Sequence, residues 1–270
     1  MRSNRTWVAA VALIGCAGIY AQLQDNRAKN LNCDDRERRD RAGHCEMREQ
    51  TMAAVGRLTA DPGKNGGVSI KGWLDNQVLV RAKIQTWAET ESEATALASQ
   101  VRVDANTGQV SASGPESQGR SGWAVSYEIF VPQTTDLNLK AFNGGISISD
   151  VRGRIEFNAK NGGVTLKHVA GDVAGSTMNG GVTVELAGPT WDGRQLEVST
   201  TNGGVTLAVP ERYSAHLRTE TTNGGIHSDF STPTPATGSP RPRNLEMNLG
   251  SGGPLIHVST TNGGVTVKRM

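Results

Sequence analysis

The sequence predicts an all-β fold, a β-solenoid of stacked two-strand coils, and three observations point to it. The tripeptide Asn-Gly-Gly occurs seven times, beginning at Asn65, Asn143, Asn161, Asn179, Asn202, Asn223 and Asn262, and Val or Ile follows every copy. Around Asn143, Asn161 and Asn179 the step is 18 residues and the flanks align without gaps. Apolar residues alternate on both sides of each tripeptide: Leu137, Leu139, Ala141, then Ile146 and Ile148 in one unit; Ile155, Phe157, Ala159, then Val164 and Leu166 in the next. Such alternation across a Gly-rich corner means two short strands joined by a turn. The unit is too short for a βαβ crossover, which needs roughly 30 residues. It suits one coil, with neighbours about 4.8 Å apart and each unit burying its apolar face against the next.

The repeat loosens towards the C-terminus, so that coils run from 18 to 23 residues. Leu196, Val198, Val205 and Leu207 flank Asn202; Leu217 and Ile226 flank Asn223; Ile256, Val258, Val265 and Val267 flank Asn262. Between the last two copies, Ser231 to Arg243 is rich in Pro, Ser and Thr and reads as an exposed loop. Leu245, Met247 and Leu249 then predict an extra strand before a degenerate corner at Ser251-Gly252-Gly253. The repeated Asn has a structural reading, a stacked turn ladder whose Asn-Gly supplies positive φ. It also has a functional one, an outward hydrogen-bonding row. A second outward row, four residues after each Asn, holds Ser69, Ser147, Thr165, Thr183, Thr206, His227 and Thr266, of which Ser147, Thr165, Thr183, Thr206 and Thr266 form the hydroxyl face. It is a candidate binding face, with cross-strand pairing as the plainer explanation.

Taken from the start, residues 1–21 read as an export signal: Arg2 and Arg5, then an apolar run from Trp7 to Ile14, then small residues. Leu13-Ile14-Gly15-Cys16 has the form of a lipobox and makes Cys16 a lipidation candidate; cleavage after Ala21 and retention as an uncleaved anchor are the alternatives. Lipidation would leave Cys33 and Cys45 free to pair in an oxidising compartment. Residues 22–50 are dense in charge of both signs and predict a solvated tether. Residues 51–135 predict a β region that begins the solenoid and caps it. It contains a strand through Val78, Val80, Ala82 and Ile84, and a hairpin turn at Asn106-Thr107-Gly108. A helix over Glu91 to Gln100 is announced by the capping box Thr90/Glu93. Residues 136–270 continue as the repeat solenoid, whose last coil has no evident cap beyond Lys268 and Arg269.

No pattern of chemistry recurs. The two residues after each Asn-Gly-Gly supply no carboxylate, unlike calcium-binding β-rolls. Glu156, Glu185, Glu197 and Asp229 fall at different offsets, as do His168, His216, His227 and His257. Cys33, His44 and Cys45 lack a fourth zinc ligand. No catalytic residue, metal site or cofactor is expected. Without Arg2 and Arg5 the chain has 26 basic and 26 acidic residues, which gives no electrostatic case for nucleic acid.

The Asn-Gly-Gly-Val-Thr-Leu corners, the run from Gly250-Ser251-Gly252-Gly253 to Asn262-Gly263-Gly264, and the exported N-terminus resemble the bacterial putative-adhesin domain family, a domain of unknown function with a β-solenoid fold. The resemblance covers about Val55 to Met270 and implies a non-enzymatic envelope or surface protein. A binding module for envelope or extracellular glycan or protein is the first expectation, with periplasm, outer membrane or cell surface as its place. Membrane contact would come only through the N-terminal signal or lipid. A scaffold self-associating through its last coil is the second expectation, and a carbohydrate-active β-helix enzyme the third.

Overall fold

A computed structural model describes residues 31–33, 42–230 and 242–270. The export segment with Cys16 and residues 231–241 of the predicted loop lie outside the described residues. Among the described residues twenty strands form two ten-stranded sheets. The strands leading into each Asn-Gly-Gly make one sheet, here the leading sheet: β8 (Asp136–Asn143), β10 (Arg152–Asn161), β12 (Ala170–Asn179), β14 (Gln195–Asn202), β19 (Leu255–Asn262) and β16 (Ala215–Asn223). The strands that follow make the trailing sheet: β3 (Val68–Trp73), β9 (Ile146–Ser149), β11 (Val164–Lys167), β13 (Val182–Glu185), β15 (Val205–Val209), β20 (Val265–Arg269) and β17 (Ile226–Ser228). All these strands pair in parallel, in the register the sequence alignment predicts: Ile155 lies opposite Val173 and Leu137, and Val164 opposite Val182 and Ile146.

The alternation places one side chain in two between the sheets. Leu137, Leu139, Ile148, Ile155, Leu166, Leu196, Leu207 and Ile256 are fully buried there. Each contributes a gross 1.5–3 kcal/mol or so from burial, before conformational entropy is subtracted. Where Phe157 is too large for its layer, the next coil supplies Gly175, on which a Cβ would meet the ring at 2.5 Å.

The N-terminal end is closed by antiparallel strands. Here β2 (Arg57–Asp61) leads into the first corner, and β7 (Gly122–Pro132) pairs in parallel with β3. Beyond β7 lie β4 (Gln77–Ala88) and β1 (Ala42–Ala53), both antiparallel. On the leading side β6 (Gln109–Ser113) and β5 (Arg102–Asn106) form the predicted hairpin, with Thr107 and Gly108 at φ 42° and 80°. The helix α1 (Glu91–Gln100) carries both bonds of the capping box, each 3.2 Å, and buries Ala94 and Ala98 against the cap. Its C-terminus receives the Arg48 guanidinium from β1, which donates to Val101 O at 2.7 Å and Ala98 O at 3.1 Å. A cation there complements the helix dipole. No helix among the described residues is long and apolar enough to cross a membrane.

Three expectations are corrected. The stretch read as tether is a strand from Ala42, because β1 finds a full-length antiparallel partner in β4. The coil latest in sequence is not the end of the stack: β19 lies between β14 and β16, and β20 between β15 and β17. Lys268 and Arg269 therefore sit on an interior strand. The outer coil is that of Asn223, with β18 (Asn244–Leu249) antiparallel on its leading side. The end of the stack that self-association would use is therefore formed by β17 and β18, not by β19 and β20.

The third correction concerns the corners. None of the seven Asn has positive φ, and of the glycines after them only Gly66 and Gly263 do. The left-handed residues Asp150 (φ 58°) and His168 (φ 50°) stand at the opposite corner. At the Asn corner glycine is needed for room. A Cβ on Gly162, Gly180 or Gly203 would lie 2.1–2.2 Å from the carbonyl oxygen of the equivalent glycine one coil away.

Candidate functional site

Along the Asn corner the coils are joined by three parallel ladders. The first is between side chains: Nδ2 of Asn143, Asn161, Asn179, Asn202, Asn262 and Asn223 each donates to Oδ1 of the Asn one coil nearer the N-terminal cap, at 2.8–3.1 Å. Asn65 ends the row by donating to Trp123 O at 3.5 Å. The second is in the backbone, where the first glycine N–H donates to the Asn carbonyl of the next coil, as in Gly162 to Asn179 at 2.9 Å. The third lies two residues before each Asn in the later coils. Thr177, Thr200, Thr260 and Thr221 donate to glycine carbonyls of the adjoining coil at 2.7–2.8 Å. Amides bonded to one another along the row hold the corner at fixed spacing and make the adjoining face stiff.

On that face, along the outside of the leading sheet, an open groove of about 670 Å³ runs over β8, β10 and β12. Its distinctive side chains stand one residue before each Asn. In stacking order they are Lys64, Phe142, Lys160 and Met178. Phe142 and Met178 are 45% and 48% exposed, two of the four large apolar side chains that reach the surface among the described residues. Lys160 Nζ lies 4.4 Å from the centre of the Phe142 ring. Lys140 joins them from the row three before Asn, beside Asn158 and Ser176, whose side chains are 3.3 Å apart. None of Lys64, Lys140 and Lys160 forms an ion pair among the described residues. The one carboxylate in the lining, Asp61, accepts a bond from Gly63 N at 2.9 Å. Beyond Thr201 the groove passes into a second trough of about 710 Å³, lined by Ser, Thr, Glu220, Arg243 and Asn244.

The sequence reading missed this groove. The signal was present in the residue before each Asn, which is Lys, Phe, Lys and Met in the first four coils and Thr in the other three. The row that was singled out, Ser147, Thr165, Thr183, Thr206 and Thr266, forms one continuous line on the trailing sheet, each residue opposite the next. Cys33 and Cys45 are joined by a disulfide that ties residues 31–33 to β1. The scattered acids and histidines are spent on lateral pairs. Glu156 meets Arg57 and Arg154; Asp150 and Glu185 flank His168; Asp229 meets His227; Glu197 and Glu220 flank His257 at 3.8 and 3.9 Å. Buried Glu128 takes Lys71 at 2.8 Å and Arg81 at 2.5 Å within the cap. Among the described residues no group of three His, Cys, Asp or Glu could hold a metal ion.

A further pair joins the outer coil to β18. His216 Nδ1 lies 2.8 Å from Asn248 Oδ1, and Nε2 lies 3.0 Å from Glu246 Oε1, both on β18. The bond to Asn248, then that to Glu246, raises the His216 pKa against desolvation and, more weakly, the charge of Arg218. A raised folded-state pKa stabilises below the unfolded value, and the gain is lost as pH rises through the folded one. Amide exchange in β18, corrected for intrinsic rate, should therefore quicken as pH rises above the ordinary histidine value of about 6.5. In His216→Gln it should not change over that range; an unchanged wild-type pattern would disprove the linkage.

No curated protein matches the chain. Among solved structures, a "putative cell adhesion protein" from Clostridium sporogenes shares 12% identity, with 83% of this chain and 100% of that one covered and a TM-score of 0.38. A "putative adhesin" from Bacteroides fragilis shares 13%, covering 84% and 97%, with a TM-score of 0.38. A "putative lipid binding protein" from Parabacteroides distasonis shares 10%, covering 83% and 96%, with a TM-score of 0.33. The model of the family described as Toastrack DUF4097 matches residues 63–268, from the first Asn-Gly-Gly corner to β20. With that match spanning most of the sequence and every coil of the solenoid, the chain belongs to the Toastrack DUF4097 family.

Proposed function

We propose that the protein is an exported, non-catalytic binding module of the bacterial cell envelope, adhesin-like in its mode of action, which engages its ligand through the leading-sheet groove. The observation that carries this reading is the exposure of Phe142 and Met178 on a rigid face beside three lysines that form no ion pair among the described residues. Apolar side chains held in water by a stiff framework cost little to order on binding. The lining offers contact chemistry, ammonium groups, an aromatic ring, a thioether, amides and hydroxyls, rather than the two facing carboxylates that glycoside hydrolysis uses. The hydroxyl row of the trailing sheet repeats from coil to coil and fits cross-strand pairing. In this reading the N-terminal segment exports the chain, and Cys16, if lipidated, tethers it; intact mass of the mature protein from envelope fractions distinguishes that from cleavage after Ala21.

The test of the groove is retention of the purified mature chain on envelope fractions. Phe142→Ala combined with Met178→Ala should reduce retention about tenfold, the size expected when apolar anchors are truncated. The melting temperature should hold, since both side chains point outward. Full retention by the double variant would remove the groove from the binding reading.

A further inference from the structure

The groove also indicates what it holds. Building on the binding-module reading, we infer that its ligand is an acidic polysaccharide, lying extended along the solenoid axis. In stacking order the row beside the ladder alternates charge and apolar surface: Lys64, Phe142, Lys160, Met178. Coils are about 4.8 Å apart, so each kind recurs every ~10 Å. That is close to the rise of one β-linked disaccharide. A polymer with one carboxylate per disaccharide would place an anion at each lysine and a sugar ring between them, its C–H face against Phe142 or Met178. Lys140 adds a second ammonium beside the row.

The floor selects against other anions. Its backbone N–H and C=O groups are consumed by parallel pairing on both sides, and an extended peptide adds to a sheet edge rather than to a sheet face. What remains for hydrogen bonding is side-chain amide and hydroxyl, Asn158 and Ser176 here and Ser199 with Thr201 where the groove continues. These suit a hydroxyl-rich chain. A membrane surface would use the lysines and the apolar tips but make no use of the amides and hydroxyls set between them.

The experiment is titration calorimetry of the mature chain with hyaluronan oligosaccharides, which carry one carboxylate per disaccharide. Dextran, poly-glutamate and phosphatidylglycerol vesicles serve as comparators. Hyaluronan should bind, dextran should not, and added salt should weaken the interaction. Lys140→Gln with Lys160→Gln should weaken it about tenfold, and Phe142→Ala by a similar factor, with unchanged melting temperature. Poly-glutamate binding as tightly as hyaluronan and indifferent to Phe142→Ala would overturn the inference in favour of charge alone. Preferential binding to vesicles would overturn it in favour of a lipid surface. If no probe binds while retention on envelope fractions persists and still depends on Phe142 and Met178, the ligand class is wrong and the module stands. If neither is seen, both fall.

Discussion

A chain ending at Gly250, without β19 and β20, is expected to lose the cooperative fold of its C-terminal half. In a solenoid, removing a terminal coil forfeits one interface. Here the residues latest in sequence fill an interior slot, with β14 and β16 on either side of β19, and β15 and β17 on either side of β20. Ile256, Val258, Val265 and Val267 are each at most 1% exposed, and losing the four removes about 6–12 kcal/mol of gross burial. That is comparable to the whole stability of an ordinary domain, about 5–15 kcal/mol. The coil of Asn223 would also lose its only neighbour towards the cap. Limited proteolysis should cut within residues 210–250 of the truncated chain while leaving β1 to β13 protected. A single thermal transition within a few degrees of the intact protein would refute the interior placement.

Gly180→Ala is expected to be among the most damaging single methyl groups that can be added. Its Cβ would lie 2.2 Å from Gly162 O, and neither backbone can retreat. Gly162 N donates to Asn179 O at 2.9 Å, and Gly180 N to Asn202 O at 3.0 Å. Relieving the clash means parting two coils at a corner where three ladders meet. We expect a loss of about 3 kcal/mol or more, seen as a fall in melting temperature of about 6–12 °C. The next residue is the internal control. At Gly181 the nearest atom to an added Cβ is Gly204 O at 3.4 Å, and Gly181→Ala should cost under about 1 kcal/mol. Equal losses at the two positions would mean that conformational freedom, not close approach, is what glycine provides.

Strand positions, pairing register, the helix and its capping box were legible because each rests on a local pattern: period two, an 18-residue step, Thr90 with Glu93. The order of the last two coils was not. A repeat that makes every coil alike makes every coil an acceptable neighbour, so the pattern of Leu217 and Ile226 suits Leu196 and Val205 as well as Ile256 and Val265, which they in fact pair with. The role of Asn-Gly-Gly was half legible. Left-handed turns and backbone-to-backbone contact both demand glycine, and only the corner geometry separates them. The groove escaped because periodicity draws the eye to inward positions. Phe142 and Met178 sit one place out of phase, where an apolar residue looks like noise in the alternation rather than surface on display.

The Asn ladder has one direction throughout, each amide giving a hydrogen to the coil on the cap side and taking one from the coil beyond. Every coil between the two ends is thus a balanced part, with equal give and take on its two faces. Parts of that kind are interchangeable. The Asn262 coil shows it, last in sequence yet seated sixth of seven in the row, with joins on both sides. A whole coil duplicated or excised would leave no polar group stranded at the seam. The stack's length is therefore set by its two ends and by nothing in between, and the reach of the outer groove can lengthen or shorten in steps of one coil.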